Sequence, residues 1–275
     1  MNRAETAGSL RRGLGLLSYL GQSQGPLGLT ELAILSGLDK ATVHRLARAL
    51  VDCGYLTQDP ATRAYSLGLR ILDLGFATLA RLDVRQLALP YMRALAEQFD
   101  RASVSLCVLD GRDAVYIERI SQRRTSVNVH VQVGSRIPAH CGSMGKAMLA
   151  ALPVAESGAL LRAQPLDAWT PRTLTSPSAL EAQLEDVRTS GYAVNDEETA
   201  LGLRSLAASV RRFDGRPAAA VNVAVAVAEM SLPELVEAAA PAVVEAAARI
   251  SRHLGQPVAQ DGLPASPTRT GATAR

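Results

Sequence analysis

The sequence is poor in the residues that hold metals and disulfides. Its 275 residues contain only Cys53, Cys107 and Cys141, at wide and unrelated spacings with no C-x-x-C pair. Such a pattern excludes a disulfide framework and a structural zinc site, and it fits a reducing compartment. The four histidines lack the paired spacing of a catalytic metal site, so no metal and no other cofactor is expected. No apolar run reaches the roughly 18 residues of a membrane span, and no signal-peptide core follows Arg11 and Arg12. A soluble, intracellular protein with no membrane partner is expected. Lysine is scarce as well: all but Lys40 and Lys146 of the 29 basic residues are Arg. Against 26 acidic residues the net charge is only +3, so any case for nucleic acid rests on where the charges sit.

Apolar residues are plentiful. They make up 48% of the chain, with only 4% aromatic, which is enough to bury cores and too much for a disordered chain. The length implies two domains. Leu10, Leu14, Leu17 and Leu20 recur at helical spacing behind Ser9, a candidate N-cap. Thr30 offers the cap of a short helix through Leu35, closed by Gly37, and Asp39 caps a third helix that ends near Cys53 and Gly54. Two helices joined by a tight glycine turn are the parts of a helix-turn-helix. Residues 55–57 and 64–67 are short β-prone runs around a polar turn, which reads as a hairpin wing. A helical pattern over 67–82 then connects the halves and is expected to pack against a second subunit.

The third helix divides into two faces. Val43, Leu46, Ala47 and Leu50 form one stripe, and Ala41, His44, Arg45 and Arg48 fall opposite. A recognition helix requires this division, because its outer face enters the major groove while basic groups meet phosphates. Arginines on an outer face alone would equally suit a solvated helix; the glycine turn and the wing are what favour a reader of DNA. Lys40 and Thr42 stand at the phosphate-favouring N-terminus, and Arg63 lies on the wing. The candidate contacts to double-stranded operator DNA are thus Thr30, Lys40, Ala41, Thr42, His44, Arg45, Arg48 and Arg63.

The second half alternates. A helix over 87–99 precedes a hairpin of 103–109 and 114–120, and a second hairpin pairs 206–210 with 218–227. Helical stretches occupy 144–151, 154–163, 179–190 and 232–254, the last kinked or divided by Pro241. The fold class is α+β, with helices around an antiparallel sheet. The expected organisation is a winged helix-turn-helix over 9–68, a linker helix over 69–84, a ligand-sensing domain over 85–255 and a disordered tail over 256–275. An enzyme is not expected: Ser143-Met144-Gly145-Lys146 fits S-x-x-K, but S-D-N, K-T-G and G-x-S-x-G are all missing. Gly13-x-Gly15 lies inside the first helix and is no dinucleotide fingerprint. An architectural DNA binder blind to ligands is the remaining alternative.

Residues 29–33, Ser36-Gly37-Leu38 and Thr42-Val43-His44-Arg45-Leu46 resemble the helix-turn-helix of the IclR family of regulators, and residues 145–150, 196–198 and 202–207 resemble its sensor-domain signatures. Residues 169–175 and 217–225 are most similar to the branch that controls protocatechuate, 4-hydroxybenzoate and β-ketoadipate catabolism. The resemblance implies a GAF-like effector domain, a homodimer or homotetramer, dyad-symmetric operators, and RNA polymerase as a partner if the protein activates. It implies an effector pocket at Gly142, Ser143 and Met144, with Asn195, Ser205 and Asn222 from the strands. Asn195 replaces a carboxylate of some members and Ala224 a serine of several, a less polar wall that suits a ring or longer acid better than glyoxylate. The carboxylate of a small organic acid is expected at the amides of the helix beginning near Ser143, with Arg136, His140 and Arg204 as candidate charge partners; for Arg204 a surface or interface ion pair is the competing reading, and for His140 and Cys141 ordinary packing. A small organic acid from another carboxylate pathway is the alternative effector.

Overall fold

Two short helices held at a glycine corner, a hairpin and two flanking helices make up the N-terminal part of the computed structural model. The structure describes residues 3–80, 83–121 and 131–255, with side chains at 3–6 and 76–80 left out; the expected disordered tail lies outside these residues. The chain divides into two compact units, Met1–Leu82 and Asp83–Arg275.

In the first unit α1 (Arg3–Gln22) is followed by α2 (Leu29–Ser36), α3 (Lys40–Asp52), β1 (Leu56–Gln58), β2 (Tyr65–Leu67) and α4 (Arg70–Ala80). The helix expected to start at Ser9 begins earlier, so Ser9 lies inside it. Its buried face also differs from the expected stripe. Leu16 and Leu20 are buried, whereas Leu10 and Leu14 are 65% and 55% exposed. Leucines occur on both faces of α1, and the packing of α2 and α3 decides which are covered. Thr30 is not the cap of α2. That role falls to Gly28, whose N–H donates to Glu31 Oε2 at 2.7 Å, leaving Thr30 within the first turn. Gly37 ends α2 in the left-handed conformation (φ 65°), and Asp39 Oδ1 accepts from the Thr42 N–H at 2.9 Å to start α3. Leu16, Leu20, Leu32, Val43, Ala47, Leu56 and Tyr65 form the core that fixes the corner.

The second unit runs α5 (Asp83–Gln98), β3 (Ser103–Asp110), β4 (Asp113–Ser121), β5 (Arg136–Pro138), α6 (Ser143–Ala151), α7 (Val154–Arg162), α8 (Pro177–Ser190), β6 (Ala193–Asp196), β7 (Leu203–Arg211), β8 (Pro217–Ala226) and α9 (Leu232–His253). Its six strands form one antiparallel sheet in the order β5-β4-β3-β8-β7-β6. The two hairpins expected from the sequence form the centre, and β5 and β6 are short edges that no expectation covered. Pro241 lies within α9, a single helix begun by the Ser231 and Glu234 capping box. Helices α5 and α9 pack against the sheet, and α6 packs against β7 and β8 with α8 beside it. No described helix is long and apolar enough to cross a membrane.

One irregularity positions the site. Cys107 pairs with Tyr116 and Leu106 with Glu118, so Ile117 is an extra residue in β4. This β-bulge inverts the alternation. Tyr116 and Arg119 therefore share the face of Ser103 and Ser105, and Glu118 turns to the opposite face, where its carboxylate meets Arg85 of α5 at 2.7 Å.

Candidate DNA-reading face and ligand cavity

The first unit presents the outer face of α3. Val43 and Ala47 are fully buried beneath it, and Lys40, Ala41, His44, Arg45 and Arg48 are exposed along it. Thr42 is half-buried, and Thr30 is exposed on α2. Arg48 Nε lies 3.2 Å from Asp52 one turn on, a pair exposed on both sides, so it contributes little to stability and can be given up to a phosphate. Arg63 is exposed between β1 and β2 with φ 61°, its carbonyl accepting from Gln58 Nε2 at 2.9 Å. Lys40, His44, Arg45 and Arg48 supply donors on a helix whose opposite face is packed, the division that a recognition helix requires.

The second unit encloses a cavity of about 40 Å³ between the start of α6 and the sheet. Gly142, Ser143, Met144, Asn195, Ser205, Asn222 and Ala224 all line it. Gly142 caps α6 without a side chain, so the first amides of the helix have no side-chain cap. A close contact fixes that helix: a Cβ on Gly145 would lie 2.3 Å from the Ala139 carbonyl oxygen. Ser143 Oγ and Ser205 Oγ are 2.7 Å apart, and Asn195 Nδ2 donates to Ser205 Oγ at 3.3 Å and to Thr199 Oγ1 at 3.2 Å. Asn195 Oδ1 accepts from the Glu198 and Thr199 amides, and Asn222 Oδ1 accepts from the Ser105 N–H at 3.0 Å. Buried amides held this way keep a fixed orientation.

None of the three expected charge partners joins this group. Arg204 faces away from Ser205 along β7, with Nε 2.5 Å from Asp196 Oδ1 and Nη1 donating to the Met230 carbonyl. Arg136 is held at the surface by Asp110 and Asp113, at 2.6 and 3.0 Å. His140 lies in a separate depression with its ring 3.0 Å from the Asp167 carbonyl, and burial lowers its pKa. Among the described residues the cation at the cavity is Arg119, which the sequence reading missed. Tyr116 lies beside it, its phenol pushed well above its usual range by burial and so a neutral donor.

Beneath the cavity Lys146 is fully buried. Its ammonium lies 2.5 Å from Glu198 Oε1 and donates to the Val194 carbonyl at 3.3 Å. Burial pulls its pKa down and Glu198 opposes that pull. The S-x-x-K pattern is therefore divided: the serine hydroxyl is occupied by Ser205 and the lysine by Glu198. Nearby, burial pushes the Cys141 thiol up to about 12, so it is no nucleophile.

Residues 9–60 match the IclR helix-turn-helix domain, and residues 76–252 match the C-terminal domain of the bacterial transcriptional regulator IclR. The chain belongs to the IclR family. IclR proteins are DNA-binding transcriptional regulators with an effector-binding domain, and they are not enzymes. Among IclR relatives, the HTH-type transcriptional regulator XynR of Escherichia coli is 32% identical over 90% of this chain and 98% of its own. The Pca regulon regulatory protein of Pseudomonas putida is 32% identical over 90% and 84%. A putative transcriptional regulator from Rhodococcus sp. RHA1 superposes with TM-score 0.76 at 33% identity, covering 90% of this chain and 98% of that one. An IclR homolog from Microbacterium hydrocarbonoxydans, solved with 4-hydroxybenzoate, gives TM-score 0.74 at 25% identity over 90% and 99%.

Proposed function

We propose that this IclR regulator controls operator binding through a small organic acid of aromatic catabolism, of the protocatechuate, 4-hydroxybenzoate or β-ketoadipate type, taken into the cavity at the start of α6. The observation that carries this reading is the division of the cavity wall. One part is the polar set of Ser143, Asn195, Ser205 and Asn222, and the rest includes Ala114, Ile137, Met144, Ala224 and Ala226. A ring can lie against the second part while its substituents bond to the first. The names of the Pca regulon protein and of the 4-hydroxybenzoate complex agree with this class. The alanine at position 224, in place of a hydroxyl, favours a ring over a two-carbon acid.

The size of the cavity supplies a mechanism. An apolar cavity of about 150 Å³ holds benzene, so a cavity of about 40 Å³ must widen to admit a ring. A ligand that binds only the widened state shifts the protein toward it. The covalent path from this domain to the DNA-reading unit is α4, and two copies reading half-sites about 34 Å apart would be sensitive to a change in spacing. A homodimer or homotetramer fits the exposed Leu10 and Leu14 of α1. Operator contacts are assigned to Lys40, Ala41, Thr42, His44, Arg45 and Arg48 of α3, with Thr30 and Arg63 at its flanks.

A melting-temperature screen against protocatechuate, 4-hydroxybenzoate, β-ketoadipate, glyoxylate and pyruvate tests the reading. An aromatic-pathway acid at 100 times its dissociation constant should stabilise the protein by about 2.7 kcal/mol. Asn222→Leu should weaken that response and leave operator binding intact. A shift confined to glyoxylate or pyruvate would contradict the aromatic class.

A further inference from the structure

A cation is the strongest side-chain partner for an acid bound in the cavity, and the cations at 136, 140 and 204 are engaged elsewhere. Arg119 is different. It lines the cavity, it is half-buried, and among the described residues its guanidinium has no carboxylate partner. The only hydrogen bond of that side chain to a described residue is from Nη1 to Ser105 Oγ at 3.5 Å, at the limit of such contacts. The adjacent acid cannot serve, because the bulge at Ile117 sends the Glu118 side chain to Arg85 on the other face. Residues 122–130 contain no Asp or Glu. Burial already pulls the Arg119 pKa below its usual value, yet a guanidinium keeps its charge. A partly desolvated charge with no counterion is costly, and a carboxylate offers the bidentate geometry that Arg matches.

The register shows what else that carboxylate would meet. Arg119 pairs with Ser105 and Ser105 with Asn222, so the three lie in one row across β4, β3 and β8. The Asn222 amide nitrogen has no partner among the described residues. The opposite end of the cavity is the internally bonded set of Ser143, Ser205 and Asn195, which can accept a hydroxyl or keto group without a charge.

We propose that Arg119 is the specificity-determining residue of this cavity: it pairs with the carboxylate of the effector, which enters with that group toward β4 and its uncharged end toward α6. The proposal rests on the cavity being the effector site. It makes the ligand an anion and excludes neutral analogues of the same shape.

The test is titration of the full-length protein, followed by calorimetry, with 4-hydroxybenzoate and its neutral isostere 4-hydroxybenzamide, and with protocatechuate, β-ketoadipate, glyoxylate and pyruvate. Wild type should prefer the acid to the amide. Arg119→Gln should weaken the acid by about tenfold or more, equivalent to about 1.4 kcal/mol, and leave the amide within about twofold. Arg119→Lys should recover part of the loss. The ligand-free melting temperature of Arg119→Gln should equal or exceed that of wild type, since an uncompensated charge is removed. A lower value would make Arg119 a structural residue and overturn the proposal. Equal effects on acid and amide, or no binding of any of these acids to wild type, would also overturn it. If the acid preference removed by Arg119→Gln is for glyoxylate or pyruvate, the pairing stands and the aromatic class falls.

Discussion

Lys146 and Glu198 are buried together, and one oxygen of the pair, Glu198 Oε2, has no partner among the described residues. Removing one member of such a pair leaves the other charge uncompensated. Lys146→Met is expected to cost about 3–5 kcal/mol in urea unfolding, and the double variant Lys146→Met, Glu198→Leu to recover most of it. His140 gives a prediction in pH. Burial holds its folded pKa below the ordinary 6.5, so the unfolded chain binds the proton more readily. Its contribution is full above 6.5 and declines as pH falls toward the folded value. His140→Asn should flatten the fall in melting temperature on acidification from about pH 7 to pH 5; an unchanged slope would assign the acid sensitivity to other groups. At this scale the family resemblance supplied the polar wall of the cavity, and Asn222 alone also stands out in the sequence, because it interrupts an apolar strand. Arg119 stayed hidden for a physical reason. Counting by two from Tyr116 places Glu118 inward and Arg119 outward, and only the bulge, a tertiary feature, reverses them.

Among the elements, the long hairpins and α3 were legible because each carries a full period of its pattern. The edges β5 and β6 were not, since three or four residues hold too little alternation to register. The face of α1 was misjudged because its leucines occur on more than one stripe, and propensity does not choose between them. Helix α6 shows how one residue fixes an element. In an exposed helix Gly→Ala stabilises by about 1 kcal/mol. At Gly145 the sign should reverse, because the new methyl would meet the Ala139 backbone at 2.3 Å. Gly145→Ala is expected to destabilise the effector domain by about 1–3 kcal/mol and to displace the cavity wall, measured as a lower melting temperature. A stabilised variant would mean that α6 is not pressed against residue 139.

At the scale of the whole molecule, two domains of one chain carry the two halves of a regulator, a helix-turn-helix that meets DNA and a domain that meets an effector. Arg45 is exposed on α3 and remote in sequence from every cavity residue. Arg45→Ala should reduce operator affinity while leaving the ligand-induced melting shift unchanged; loss of both would indicate misfolding. Linkage then demands that operator and effector alter each other's affinity by the same factor. The most direct measurement is the affinity of the full-length protein for a dyad-symmetric duplex selected from random DNA, by fluorescence anisotropy, with and without a saturating aromatic-pathway acid at fixed salt. The account predicts a change of about 5- to 150-fold between the two titrations. Identical affinities in the presence of an acid that demonstrably binds would contradict it, leaving a DNA-binding protein whose cavity does not govern its operator.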